Sequence, residues 1–271
     1  MHIILFSAVL IAYFLSLIAF AIFSIWPNRF FYRLALSNAI LGFILHSGAI
    51  LKRAYISGFA PMSNLYESIF IFAWAIVLVF LIIEYRFQIK ITGIFIMPTV
   101  IILMVLAALL DSSIKPLIPA LQSYWLFIHV IICFLAYACF ACACGLGLMY
   151  LLQERQVKLK KIGHILQRLP ALDVIDRINY NLVFLGFIFL SFGIITGSIW
   201  AQQAWGSWWS WDPKESWALI TWIIYAAYLH VRIKIKWHGR NTAILSIIGF
   251  ISVLFTYFGV SFLLSGLHSY L

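Results

Sequence analysis

The chain has 271 residues, of which 65% are hydrophobic and only 10% charged, with a mean hydropathy of +1.06. Soluble domains run at roughly 45–50% apolar and about 25% charged, so this composition excludes a water-soluble enzyme and makes lipid the solvent for most of the surface. The formal net charge of +10 would suit a nucleic-acid partner, but its distribution along the chain favours topology over nucleic-acid binding.

A transmembrane helix needs about 20 apolar residues, because about 30 Å of hydrocarbon is crossed at about 1.5 Å per residue. Runs of that kind predict helices near 3–26, 33–51, 66–85, 91–110, 124–152, 179–200, 214–231 and 242–264. The fold class is therefore all-α: a polytopic membrane protein of about eight spans forming a single transmembrane domain, 1–271. The first run lacks a basic leader and a small-residue cleavage site and is longer than a signal core, so it reads as a retained helix. The polar stretch 153–177 reads as a short amphipathic surface helix.

Lysine and arginine give the orientation. Arg29, Arg33, Arg86, Lys90, Arg155, Lys158, Lys160, Lys161, Arg168, Arg177, Arg232, Lys234, Lys236 and Arg240 fall on one side. Only Lys52, Arg53, Lys115 and Lys214 fall on the other. Positive charge concentrates on cytoplasmic loops, so the first side is expected inside and both termini outside, in the periplasm or a lumen. The basic charge is thus a topology signal, and no nucleic-acid partner is expected.

The segment Trp205-Gly206-Ser207-Trp208-Trp209-Ser210-Trp211-Asp212-Pro213-Lys214-Glu215-Ser216-Trp217 lies in the outer loop before the seventh helix. Tryptophans at a membrane interface normally scatter one or two per helix end. Trp205, Trp208, Trp209 and Trp211 fall within seven residues, separated by glycine and serine, which reads as an aromatic shelf for a large flat apolar ligand. Asp212, Pro213 and Glu215 also form a helix start: aspartate at N-cap, proline at N1 and glutamate at N3. Asn64 and Glu67 repeat the device before the third helix. Capping is the expected role of both acids, while Lys214 is placed to meet a carboxylate such as a haem propionate.

Seven histidines sort by depth. His129, near the outer end of the fifth helix, and His268, just beyond the eighth, share a level with the tryptophans, and two neutral imidazoles suit the axial positions of haem iron. His230 lies about sixteen residues into the seventh helix, roughly 24 Å from its outer end. An ionisable group at that depth is costly and marks either a function or snorkelling to the inner surface beside Arg232. A haem held there would take its second ligand from another polypeptide. His46 lies nearer the outside of helix two, whereas His2, His164 and His238 read as solvated. Cys133, Cys139, Cys142 and Cys144 sit on one apolar helix without companion ligands, so small packing residues are expected rather than a zinc or redox site.

With these residues assembled, the chain resembles the CcsA/ResC family of cytochrome c biogenesis proteins, within the wider group of membrane haem-handling proteins. The tryptophan segment carries the resemblance first, then 225–230 and Ser265-Gly266-Leu267-His268-Ser269-Tyr270. Pro61, Asn64-Leu65-Tyr66-Glu67 and Tyr124-Trp125 with His129 add to it. One departure is visible: the family often has histidine where Phe59 stands. The resemblance implies that His129 and His268 ligate haem b externally, and that the segment containing Trp205, Trp208, Trp209, Trp211 and Asp212 presents it. His230 would hold haem in transit with a CcsB/ResB-type partner. It implies haem attachment to the CXXCH cysteines of apocytochrome c, as a cytochrome c synthase subunit in a bacterial inner or thylakoid membrane. The competing readings are a haem exporter or chaperone without synthase activity, and a b-type electron-transfer subunit.

Overall fold

The structure, a computed structural model, describes residues 2–160 and 169–264. Eight principal helices account for most of them. They are α1 (His2–Ile25), α2 (Arg29–Ser57), α3 (Leu65–Phe87), α4 (Gly93–Ala108), α5 (Tyr124–Lys158), α6 (Leu172–Trp205), α7 (Pro213–Ile233) and α8 (Arg240–Leu254). Seven of the helical segments are long and apolar enough to cross a membrane; the exception is α4, at 16 residues. At about 1.5 Å per residue α4 reaches about 24 Å, short of a full hydrocarbon thickness.

The helix starts follow local chemistry. Asn28, Asn64, Ser123 and Asp212 each place a side-chain oxygen on a backbone N–H of the first turn of α2, α3, α5 and α7. At the start of α7 the capping box is complete. Gly58 and Gly206 close α2 and α6 in the left-handed conformation that glycine adopts without a Cβ penalty.

Three helices outrun their apolar cores. α2 continues to Ser57, α5 runs for 35 residues and α6 for 34. The polar stretch 153–177 is therefore not one separate surface helix. Its first residues complete α5, residues 172–177 open α6, and residues 161–168 lie outside the described region. Polar side chains such as Gln153, which donates to the Pro170 carbonyl, carry α5 past its apolar run without interrupting the backbone ladder.

α8 also differs from expectation. It passes through a π-helical turn, Phe255–Gly259, before the last turn Val260–Leu263. The Val260 N–H reaches the Phe255 carbonyl five residues back. Thr256 donates within bonding distance of the Ser252 and Trp217 carbonyls, so a side chain competes for the ladder where the helix widens.

α3 is the innermost helix and buries residues all round, from Ile69, Phe72 and Phe80 to Glu67 and Glu84. α5 packs on α3, α4, α6 and α8, and its contact with α6 is the most extensive between any two helices. α1, α2, α6 and α7 present outward apolar residues such as Ile11, Ile44, Phe192 and Ile223, as lipid-facing surfaces do. Successive helices run back and forth through the bundle. The loops before α3, α5 and α7 thereby gather at one end of the bundle, where the candidate site lies.

Candidate functional site

The principal cavity, about 220 Å³, opens at that end. It is lined by the approach to α3 (Met62, Asn64), the N-terminal turns of α5 (His129, Cys133, Tyr137) and the end of α6 (Gly197, Trp200). Trp209, Lys214 and Glu215 come from the tryptophan segment and α7, and Thr256 and Tyr257 from the π-turn. Most of the wall is apolar, with a few convergent polar groups, which is the usual composition of a small-molecule site.

His129 is fixed by its neighbours. Its Nδ1 lies 2.7 Å from the carbonyl oxygen of Gly193 on α6. A carbonyl only accepts, so Nδ1 carries the proton and the ring's lone pair sits on Nε2, the tautomer that a metal ligand needs. The ring fits because α6 has no side chain where it lies. A Cβ on Gly197 would come within 2.7 Å of His129 Cε1, and one on Gly193 within 2.6 Å of Cys133 Sγ. The Gly193-x-x-x-Gly197 spacing therefore cuts a groove in α6 that receives one turn of α5.

Trp200, three residues after Gly197, stacks on His129 with centroids 6.2 Å apart and planes inclined by 17°. Its indole N–H donates to the Ala120 carbonyl at 2.9 Å, tying the loop before α5 to the end of α6. Trp205 packs edge-on against Trp200 at 4.8 Å.

The tryptophan loop folds with alternating directions. Trp209 faces the cavity, while Trp208 and Trp211 are exposed, and the Trp209 and Trp211 rings stand perpendicular at 5.7 Å. The indoles thus form a folded wall and an outward rim rather than a single plane. Glu215 holds the loop: its Oε2 accepts from Ser210 N at 2.8 Å and from Asp212 N at 3.3 Å. Buried Asp212 accepts from its own helix at Lys214 N. Both acids cap α7.

The other wall is set by a buried ion pair. Arg53 Nε lies 2.7 Å from Glu67 Oε1, with both side chains almost fully buried. Arg53 also donates to the carbonyls of Ser112 and Ser113 and lies over the Tyr66 ring. Glu67 Oε2 accepts from Ser63 N and Oγ. One pair therefore pins the end of α2, the loop before α3 and the loop after α4.

His230 is exposed on α7, near the C-terminal end of that helix, and nothing among the described residues encloses it. His46 is buried between α1, α2 and α3, 3.1 Å from the Tyr13 hydroxyl and packed on Phe70. His268 lies outside the described residues. Cys139 and Cys142 are buried among apolar side chains, as expected of packing residues, whereas Cys133 lines the cavity beside His129. Sequence reading gives no weight to Trp200 or the two glycines, and Cys133, expected to be a packing residue, instead lines the cavity. The available signal for the α6 residues is the spacing of Gly193, Gly197 and Trp200 on one helical face.

Residues 62–268 match the family of cytochrome c assembly proteins. Sequence and architecture together define a polytopic helical membrane protein of c-type cytochrome maturation. The chain is 38% identical to the cytochrome c biogenesis protein CcsA of Trieres chinensis, with 86% of this chain and 83% of that one covered. It is 37% identical to CcsA of Crocosphaera subtropica, covering 79% and 80%, and 38% identical to CcsA of Prochlorococcus marinus strain MIT 9301, covering 82% and 79%. The chain belongs to the CcsA family of cytochrome c biogenesis proteins. Its fold is similar to that of a solved cytochrome c haem lyase, CcmF, with a TM-score of 0.69 over 94% of this chain at 15% identity. The chain spans less than half of that longer protein, 46%.

Proposed function

We propose that this chain receives haem b at the outer end of α5, α6 and α7 and presents its vinyl groups to the cysteines of an apocytochrome c CXXCH segment. The observation that carries the reading is His129. Its tautomer is set by the Gly193 carbonyl, its plane is backed by Trp200, and it stands in the wall of an apolar cavity shared with Trp209. Iron would take Nε2 of His129 on one face and His268 on the other. The apolar macrocycle would lie along the indoles, with Trp205, Trp208 and Trp211 extending the aromatic surface outward.

Haem is here the substrate, and the chain's own contribution is position. In thioether formation each cysteine sulfur bonds to the inner vinyl carbon and the thiol hydrogen ends on the terminal carbon, so no oxidant is consumed. Holding three components together converts an improbable encounter into a nearly unimolecular step. Asp212 and Glu215 serve the wall rather than the chemistry, because their carboxylates are engaged in capping α7.

His230 fits a second, inner haem contact shared with another polypeptide. It is exposed on the surface of α7, where a CcsB/ResB-type membrane partner could supply the opposing ligand. The relatives come from cyanobacteria and algae, which supports a thylakoid or bacterial inner membrane with both termini on the outer side.

The test is covalent haem attachment to a reporter apocytochrome in cells carrying this chain and its partner. His129→Ala is expected to abolish attachment and shift or remove the Soret band of the purified complex. Undiminished attachment ends this reading.

A further inference from the structure

Lys214 is a cation in the cavity wall whose side chain has no role in the capping chemistry around it. Its backbone N–H is bound by Asp212, but no ion pair or hydrogen bond engages its ammonium group among the described residues. The side chain is half-buried, lines the same cavity as His129, and lies within electrostatic range of the Asp212 carboxylate and the Cys133 thiol. Cys133 Sγ in turn sits 3.6 Å from His129 Nδ1. Lys214 thus belongs to the same cavity wall as the ring that would hold iron.

Asp212 favours the charge through space, but neither neighbouring acid meets the ammonium in direct contact. Glu215 spends Oε2 on Ser210 and Asp212, and no ion pair within 4.0 Å joins either carboxylate to Lys214. A partly desolvated ammonium against a mainly apolar wall is costly unless an anion meets it there. A ligand that fills this cavity to advantage therefore brings a flat apolar body, a metal for His129 and a carboxylate for Lys214.

We infer that Lys214 is the positioning residue for a haem propionate, fixing the rotation of the macrocycle in its plane while His129 fixes the iron. The assignment rests on the haem reading above and adds to it a reason for orientation. With one edge of the ring anchored by its propionate at α7, the vinyl edge is turned to a constant direction. Asymmetric attachment to two cysteines requires that. A charge-assisted hydrogen bond in a low-dielectric wall also makes the site discriminate between a free acid and an ester.

The experiment titrates the purified full-length chain with ferric haem and with its dimethyl ester, following the Soret band. The parent should prefer the free acid by about tenfold, the scale of one charge-assisted bond. Lys214→Gln should lose that preference while binding the ester as the parent does, and Lys214→Arg should restore it. Normal ester binding by the glutamine variant also shows that the site has folded. An unchanged acid-to-ester ratio in Lys214→Gln, or a preference that tracks added anionic lipid instead, overturns the assignment and leaves the haem reading intact. If the parent binds neither compound, or His129→Ala binds both normally, the haem reading itself falls and takes this assignment with it.

Discussion

His129 on α5 donates its Nδ1 proton to the carbonyl oxygen of Gly193 on α6 across 2.7 Å. The bond joins the two longest helices at the level of the cavity and sets which ring nitrogen can meet a metal. It exists only because Gly193 and Gly197 leave α6 bare where α5 approaches.

Gly197→Val should therefore disable the site without touching any polar group. Its branched side chain would occupy the space of the His129 ring, forcing the ring from the Gly193 carbonyl. Haem binding by the purified protein should fall at least tenfold, measured by Soret titration, with membrane insertion retained. Gly48, where an added Cβ meets nothing within 4 Å, gives the control: Gly48→Val should bind haem normally.

Trp200 joins the loop before α5 to α6 and backs the histidine. Trp200→Ala removes the stacked ring and leaves a void, so a loss of about 3–5 kcal/mol is expected. Trp200→Phe keeps an aromatic backing and loses the bond to Ala120, a cost of about 1 kcal/mol. Thermal unfolding in detergent should rank parent, phenylalanine and alanine variants in that order.

Breaking the Arg53–Glu67 pair from one side should be severe. Arg53→Met strands a carboxylate whose side chain is almost wholly buried, which costs about 3–5 kcal/mol. The paired change Arg53→Met with Glu67→Leu should recover part of that, because no charge is left buried. Denaturation of the three proteins measures the difference. The double variant should still show a displaced loop, since Ser63 and the carbonyls of Ser112 and Ser113 lose their partners.

The α7 cap can be separated from chemistry. Asp212→Asn keeps a side-chain acceptor for the first turn and should cost a few tenths of a kcal/mol, whereas Asp212→Ala should cost about 1 kcal/mol. If the acid is only a cap, haem attachment should follow the stability of the two variants. Attachment lost in Asp212→Asn at full stability would give the carboxylate a further role.

His230→Ala should leave the outer site intact, because no described contact links that exposed ring to the cavity. Externally supplied haem should still bind the purified chain with the parent spectrum, while haem delivered from the cytoplasmic side in cells should fall.

Much of this was legible in the residues. Apolar runs located the eight principal helices, because a span must satisfy its backbone bonds internally and cover itself with hydrocarbon. Cap signals at Asn64 and Asp212 were equally local, each being a side chain acting on its own first turn. Helix length was less legible: α5 and α6 continue through polar turns that hydropathy assigns to a loop. The π-turn in α8 was not legible, since it arises from the hydrogen bonds of Thr256 to Ser252 and, across the helix pair, to Trp217.

The sequence by itself determined that this chain lives in lipid, which ends of its helices share a side, and that His129 and the tryptophan segment lie at the same end of the bundle. Those properties follow from period, length and charge along a single strand of residues. Only the tertiary structure decided which of those groups share a cavity. It put Trp200 behind His129, turned Trp209 inward and Trp208 outward, and brought Lys214 to the same wall. Such choices depend on where one helix lacks a side chain and its neighbour can close the gap, a relation between distant residues that no local pattern encodes.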